Sequence, residues 1–168
     1  MSAKQVDGGM SSEVKFIADT NLGKLVKWLR ILGYDTILHR GKADRNFLRK
    51  AEREGRVVLT RKKDMAARQF SGKLVTIGSD HVQEQLGEVM EKLSIAADAG
   101  RLFSICVRCN ETLVAVDKED VAGMVPAFVY DTQSAFRRCP GCKGIFWPGT
   151  HIDNALNRLK THIRRHHP

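Results

Sequence analysis

Two Cys-x-x-Cys pairs, Cys106-Val107-Arg108-Cys109 and Cys139-Pro140-Gly141-Cys142, carry the sharpest chemical signal in the chain. Together they offer four thiolates, which complete the tetrahedral shell of a structural Zn²⁺ and leave no open position for chemistry. The 29 residues between the pairs exceed the common zinc-finger gap, so the spacing predicts a small β-rich ribbon with an insertion. In so small a unit, metal binding of about 10–16 kcal/mol would be most of the folding free energy. A redox pair or two local disulfides are the competing readings. A redox pair normally stands alone beside a βαβ unit, and a reducing cytosol disfavours disulfides.

A second set of residues is acidic. Asp19 follows a short apolar run, Asp44 precedes a helical pattern, Asp64 lies four residues past Thr60, and Asp80 follows another apolar run. If those runs are parallel strands, their ends share one sheet edge, the place where α/β proteins bind ligands. Carboxylates crowded together repel unless a cation joins them. An oxygen-rich pocket of this kind suits Mg²⁺ or Mn²⁺, ions that generate hydroxide and stabilise the leaving oxygen of a phosphodiester. Asp19, Asp44 and Asp80 also stand where a helix N-cap belongs, and a cap is worth about 1 kcal/mol.

Basic residues surround these positions. Lys24, Lys27 and Arg30 fall in one helical pattern, Arg40, Lys42 and Arg45 beside Asp44, and Arg61, Lys62 and Lys63 after the third apolar run. Arg108, Arg137, Arg138 and Lys143 flank the cysteine pairs. Lys and Arg total 28 against 19 Asp and Glu, a formal charge of +9 spread over both halves, with a pI near 9.7. A cationic rim around an anionic centre fits a nucleic-acid backbone. For the helical Lys and Arg, a solvated outer face is the alternative. His39 and His81 flank the same edge and could assist proton transfer.

The elements that must position these groups read clearly. Val14–Ala18, Thr36–Leu38, Val57–Thr60 and Leu74–Ile77 form apolar runs, nearly continuous as in strands buried on both faces. Between them Leu22, Leu25, Val26, Leu29 and Leu32 recur at helical spacing and stop at Gly33. Phe47, Leu48 and Ala51 mark a second helix between Asp44 and Gly55, a short helix runs from about Asp64 to Phe70, and Val82 to Leu93 outlines a longer one. This alternation predicts an α/β domain with a parallel sheet over residues 14–98. After Ala97-Asp98-Ala99-Gly100 the rhythm stops. Residues 101–168 read as the ribbon, with β-rich runs at Leu113–Val116 and Ala127–Tyr130 and a last helix over Ile152–Ile163.

The chain is 42% hydrophobic and 28% charged, so it can bury a core and is not a disordered tail. No apolar run approaches the roughly 18–20 residues of a membrane helix. Residues 1–13 read as a disordered lead-in without the apolar segment of a secretory leader. A cytoplasmic location is expected.

Taken together, several motifs resemble one family. Asp19-Thr20-Asn21-Leu22-Gly23-Lys24-Leu25, Trp28-Leu29-Arg30, Leu32-Gly33-Tyr34-Asp35, Leu59-Thr60-Arg61 and Gln85-Leu86 carry the likeness in the first part. Cys106-x-x-Cys109-Asn110, Val125-Pro126, Cys139-Pro140-Gly141-Cys142 and Trp147-Pro148-Gly149-Thr150-His151 carry it in the second. The chain thereby resembles the family named after the C-terminal domain of a nematode mutator exonuclease, a PIN-like ribonuclease domain fused to a zinc ribbon. The resemblance implies a three-layer sandwich with a central parallel sheet, RNA cleavage dependent on Mg²⁺ or Mn²⁺, and zinc on the four cysteines. It places the family's acidic positions on Asp19, Asp44, Asp64 and Asp80. Arg45 replaces one acid of the usual pair before the second helix, and Lys62 replaces the first acid of the usual Thr-x-Asp-x-Asp stretch.

The leading expectation is a metal-dependent ribonuclease whose ribbon helps to place RNA. The rival is a non-catalytic RNA-binding protein with a decayed nuclease site, favoured by Lys62 and Arg45. A phosphoacceptor domain would need an acidic pair after the first strand, where this chain has Asp19-Thr20-Asn21.

Overall fold

The computed structural model describes residues 14–149 together with 153, 154, 156, 157 and 161. The lead-in 1–13 lies outside the described residues. Four parallel strands, β1 (Phe16–Ala18), β2 (Thr36–Leu38), β3 (Val57–Thr60) and β4 (Leu74–Thr76), form one sheet in the order β2-β1-β3-β4. Their side chains alternate between two cores. Phe16, Ala18 and Leu59 point to one face, where they meet Leu25, Val26 and Leu29 of α1 (Gly23–Ile31) and Leu86, Val89 and Met90 of α3 (Val82–Leu93). Ile17 and Val58 point to the other, against Phe47, Leu48 and Ala51 of α2 (Arg45–Glu54) and Met65. Fully burying each large apolar side chain stabilises by about 1.5–3 kcal/mol, which is why both faces must be covered. The α/β three-layer sandwich is thus present.

Local signals end the helices as the sequence predicts. Asp44 caps α2 by accepting from the Asn46 and Phe47 amides, and Gly55 closes it in the left-handed region. One turn of 3₁₀ helix at Thr20–Leu22 precedes α1. The segment after β3 is shorter than predicted, a 3₁₀ turn over Lys63–Ala67.

Beyond α3 a three-stranded antiparallel sheet, β5 (Val114–Val116), β6 (Phe136–Arg138) and β7 (Ile145–Phe146), builds the ribbon. One expectation fails here. Ala127–Tyr130 is not β but the start of α4 (Ala127–Thr132), with the Tyr130 amide donating to the Pro126 carbonyl. Its β-branched and aromatic residues favour a strand only where a neighbour is available to pair with. None of its residues is buried, and Pro126 stands at its N-cap. Of the predicted last helix, Asp153, Asn154, Leu156, Asn157 and Thr161 are helical, and Leu156 packs into the α1/α3 core rather than the ribbon. Ile152, Leu159 and Ile163 lie outside the described residues.

The ribbon is fastened to the sandwich by residues from the C-terminal end of α1. Arg30, only 9% exposed, donates from Nε to the Thr36 carbonyl and from one terminal nitrogen to the carbonyls of Val107 and Arg108. The Asn110 side chain accepts from the Thr36 amide and donates to Asp35, which also takes a two-pronged ion pair from Arg56. Gly33 lies at φ +83°, and a Cβ there would sit 2.2 Å from the Arg101 carbonyl oxygen. Only glycine permits both that backbone and that approach.

Candidate functional site

Asp19 directly follows β1, Thr60 ends the adjacent β3, and Arg61 comes next. In the order β2-β1-β3-β4 this is the switch point, where the chain leaves neighbouring strands toward opposite faces and open α/β sheets bind ligands. Asp19 is 2% exposed, yet its carboxylate is well supplied with donors. Its Oδ1 accepts from the Asn21 amide at 3.0 Å. Its Oδ2 accepts from Thr60 Oγ1 at 2.6 Å and from the Arg61 amide at 3.1 Å. Three fixed donors hold a buried charge that would otherwise be costly. Thr60, fully buried, orients the carboxylate, and its trace in the sequence is the Leu59-Thr60-Arg61 motif. Its signal was a hydroxyl at the C-terminal end of a buried strand.

Asp19 opens into a groove of about 460 Å³ shared with Thr20, Asn21, Arg40, Gly41, Lys42, Ala43 and Lys62. The groove gathers the ends of β1 and β3 and the loop between β2 and α2. The other predicted acids stand around it with partners of their own. Asp44 caps α2, and the Phe47 amide is the main cause holding its carboxyl below the ordinary range, with the Asn46 amide adding to it. Asp80 is exposed and paired with Arg61. Asp64 is exposed and paired with Arg68 at 3.2 Å. Among the described residues, no three of these carboxylates bring oxygens within 4.8 Å of one another.

The loop carrying Asp80 is itself clamped. Glu88 of α3 accepts from the amides of Gly78 and Ser79, and Lys92 donates to it. Burial opposes its charge, but these hydrogen bonds prevail and lower its pKa to about 2. Gln85 holds the same loop through the Ser79 carbonyl.

The predicted cationic residues divide. Lys24, Lys27, Arg45, Lys62, Lys63 and Arg108 are exposed. Arg61 is committed to Asp80. Arg137 donates to the Phe103 carbonyl and Arg138 to the Asp120 carbonyl, so both brace the ribbon. Arg30 stands apart from these. It is no rim residue, because its guanidinium is buried in the joint and burial lowers its pKa despite nearby negative groups. The His39 ring lies against Phe47, and His81 stands at the start of α3 without capping it.

The four cysteines converge. Sγ atoms of Cys106 and Cys109 are 3.7 Å apart, Cys106 and Cys142 3.8 Å, and Cys109 and Cys139 3.7 Å. All four sulfurs lie within 4.8 Å of one another. A tetrahedral ion with bonds of about 2.3 Å places its sulfurs about 3.8 Å apart, so the site suits a metal such as zinc. The two knuckles are built alike. The amides of Asn110 and Lys143 donate back to the carbonyls of Cys106 and Cys139, and both residues take positive φ. Cys142 is brought down to about 7, chiefly by a hydrogen bond from the Gly144 backbone. Cys109 is pushed up to about 12, chiefly by its contact with Cys142. No cysteine is in a disulfide.

A parallel sandwich with a held carboxylate at its switch point is joined to a ribbon whose four thiols could hold a metal ion. The model of the Mut7-C RNAse domain matches residues 14–159, most of the chain, and the chain belongs to that family. No curated protein matches it. Among the described residues, no helix is long and apolar enough to cross a membrane.

Proposed function

We propose that the protein is a ribonuclease that cleaves RNA phosphodiesters in the groove on Asp19, with zinc on Cys106, Cys109, Cys139 and Cys142 ordering the ribbon. The observation that supports this most is the position of Asp19, a buried carboxylate held by Thr60 and the Arg61 amide at the switch point and lining a groove whose other charged residues are cations. The family membership supports RNA as the substrate. Four cysteines gathered for a metal rather than paired as disulfides suit a reducing compartment, and we place the enzyme in the cytoplasm.

A divalent Mg²⁺ or Mn²⁺ fits this edge through Asp19, whose Oδ1 accepts a single hydrogen bond among the described residues. Such an ion is commonly bound by one or two carboxylates, substrate phosphate oxygens and water. Asp44, Asp64 and Asp80 are the remaining acids around the edge and would join as ligands only on leaving their present partners. When bound, the ion supplies Lewis-acid stabilisation and a more acidic water. The chain's own groups do the rest. Thr60 and the Arg61 amide fix the Asp19 carboxylate, and Arg40, Lys42 and Lys62 receive the phosphates. The pairing with Arg61 holds Asp80 at the rim. On the ribbon, exposed Arg108 offers a further phosphate contact.

Zinc-loaded protein with Mn²⁺ should cut a generic single-stranded RNA. Asp19→Asn should lower the rate by on the order of 100-fold, the scale on which a disturbed metal site costs activity. Identical background cleavage by both proteins would refute the proposal. The excess of cations over acids in the groove favours a second reading, an RNA-binding protein without catalysis. Steeply salt-dependent binding, with no effect of Mn²⁺ on cleavage or melting temperature, would select it.

A further inference from the structure

Charge balance in the groove is unusual for a site meant to attract divalent ions. Asp19 is the one carboxylate among the residues that line it, against Arg40, Lys42 and Lys62. None of these three cations is in an ion pair among the described residues. Nor is the Asp19 charge left bare for them, because Asn21, Thr60 and Arg61 already donate to it. A formal excess of positive charge therefore faces a space of about 460 Å³, large enough for a phosphate and its sugar.

Lys62 is placed there by the residues that hold Asp19. Its amide donates to Thr60 Oγ1 at 3.0 Å, and that hydroxyl donates to Asp19 Oδ2. The backbone of Lys62 is thus tied to the buried carboxylate while its side chain stays exposed. Arg40 and Lys42 approach from the opposite wall, on the loop between β2 and α2. A lysine at this position repels a divalent ion and attracts a phosphate, since both effects depend only on the sign of the charge.

We infer that Lys62, with Arg40 and Lys42, is a built-in counter-charge that seats an RNA phosphodiester without a divalent cation. This rests on the reading of the groove as the phosphodiester site. It makes RNA binding independent of the divalent ion that the cleavage reading calls for.

The test is fluorescence anisotropy of the full zinc-loaded chain with a single-stranded 2′-O-methyl RNA, its integrity checked on a gel after each titration, in buffer free of Mg²⁺ and Mn²⁺ and then with millimolar Mg²⁺. Wild-type affinity should change by less than about threefold on adding Mg²⁺, because the phosphate charge is already met by lysine and arginine. Lys62→Gln should flatten the slope of log K against log salt by about 0.7, the contribution of one phosphate contact on a single strand. Lys62→Asp should bind on the order of tenfold more weakly without Mg²⁺ and recover when it is added. Lys73→Gln, on an exposed residue at the opposite end of the sheet, controls for net charge. An exposed, unpaired Lys62 makes both variants foldable, which unchanged melting temperatures would verify.

Wild-type binding that requires Mg²⁺, or a Lys62→Asp variant that binds as tightly as wild type, overturns the inference. Metal-dependent cleavage together with metal-dependent binding would sink it alone and leave the ribonuclease reading intact. Metal-free binding with no cleavage under any divalent ion would sink the ribonuclease reading and leave this one standing.

Discussion

The thiol cluster of the ribbon and the carboxylate edge of the sandwich are built by opposite routes. Each Cys-x-x-Cys pair lies within one knuckle, where backbone hydrogen bonds spanning four or five residues aim both sulfurs inward, and four sulfurs meet at 3.7–3.8 Å. The four aspartates come from four separate stretches of chain, and each has found a donor of its own. Asp19 is held by Thr60 and Arg61, Asp44 by the start of α2, Asp64 by Arg68 and Asp80 by Arg61. A closed shell of soft ligands needs no substrate to complete it. On the proposed function, an edge of individually satisfied acids beside unpaired cations would leave its last ligands to the substrate. The first arrangement suits a structural ion, the second a site that assembles around a phosphate.

The comparison is broken most severely at the thiols. Cys139→Ser removes one ligand from the buried half of the cluster, and about 10 kcal/mol of metal-coupled folding should go with it. Zinc content by mass spectrometry should drop to background and protease should open residues 105–146, while the sandwich keeps its helical circular dichroism. Retained zinc with an intact ribbon would show that three thiols suffice.

Asp19→Ala comes next. It strands the Asn21 amide, the Thr60 hydroxyl and the Arg61 amide, and a cost of roughly 3 kcal/mol is expected. Chemical denaturation measures it, and a change below about 0.5 kcal/mol, the range of ordinary surface substitutions, would mean that these donors find water instead.

Glu88 sharpens the comparison by its effect on the loop that bears Asp80. Its folded pKa of about 2 lies below the unfolded value of 4.5. Its contribution is therefore complete above about pH 4.5 and is lost as the pH falls toward 2, up to roughly 2–3 kcal/mol. Glu88→Gln should remove that part of the acid dependence, read as a flatter plot of stability against pH in this window. An unchanged plot would assign the acid sensitivity to other groups.

The smallest effect belongs to Asp64→Asn. Its ion pair with Arg68 is exposed, and stability should change by less than about 0.5 kcal/mol. A loss of RNA cleavage without a loss of stability would give Asp64 a place in the site that its present partner does not reveal.

Much of the sandwich was legible in the residues. The limits of β2, α2, β3 and α3 follow from apolar runs, from Asp44 as a cap and from Gly55 as a left-handed stop. The knuckles were equally plain. The groove was legible only in part. Asp19, Arg40, Lys42 and Lys62 stood out as charged residues near strand ends, but nothing in their spacing showed that they share one wall-to-wall space while Asp64 and Asp80 remain outside it.

Arg30 shows the same limit from the other side. Its helical neighbours Lys24 and Lys27 are exposed, and one turn further another basic side chain is buried as the bolt between sandwich and ribbon. The α4 segment failed for a related reason, since a strand-forming composition cannot make a strand without an edge to pair with.

What the sequence determined by itself is what short-range forces decide: caps, stops, the period of each apolar stripe and the sulfur geometry inside each knuckle, all set within about five residues. What the tertiary structure alone decided is the strand order β2-β1-β3-β4, the pairing of Asp19 with Thr60 across 41 residues, and the burial of Arg30 against a carbonyl 77 residues away. Those choices depend on which surfaces exclude water together, and that is a property of the whole packed chain rather than of any stretch of it.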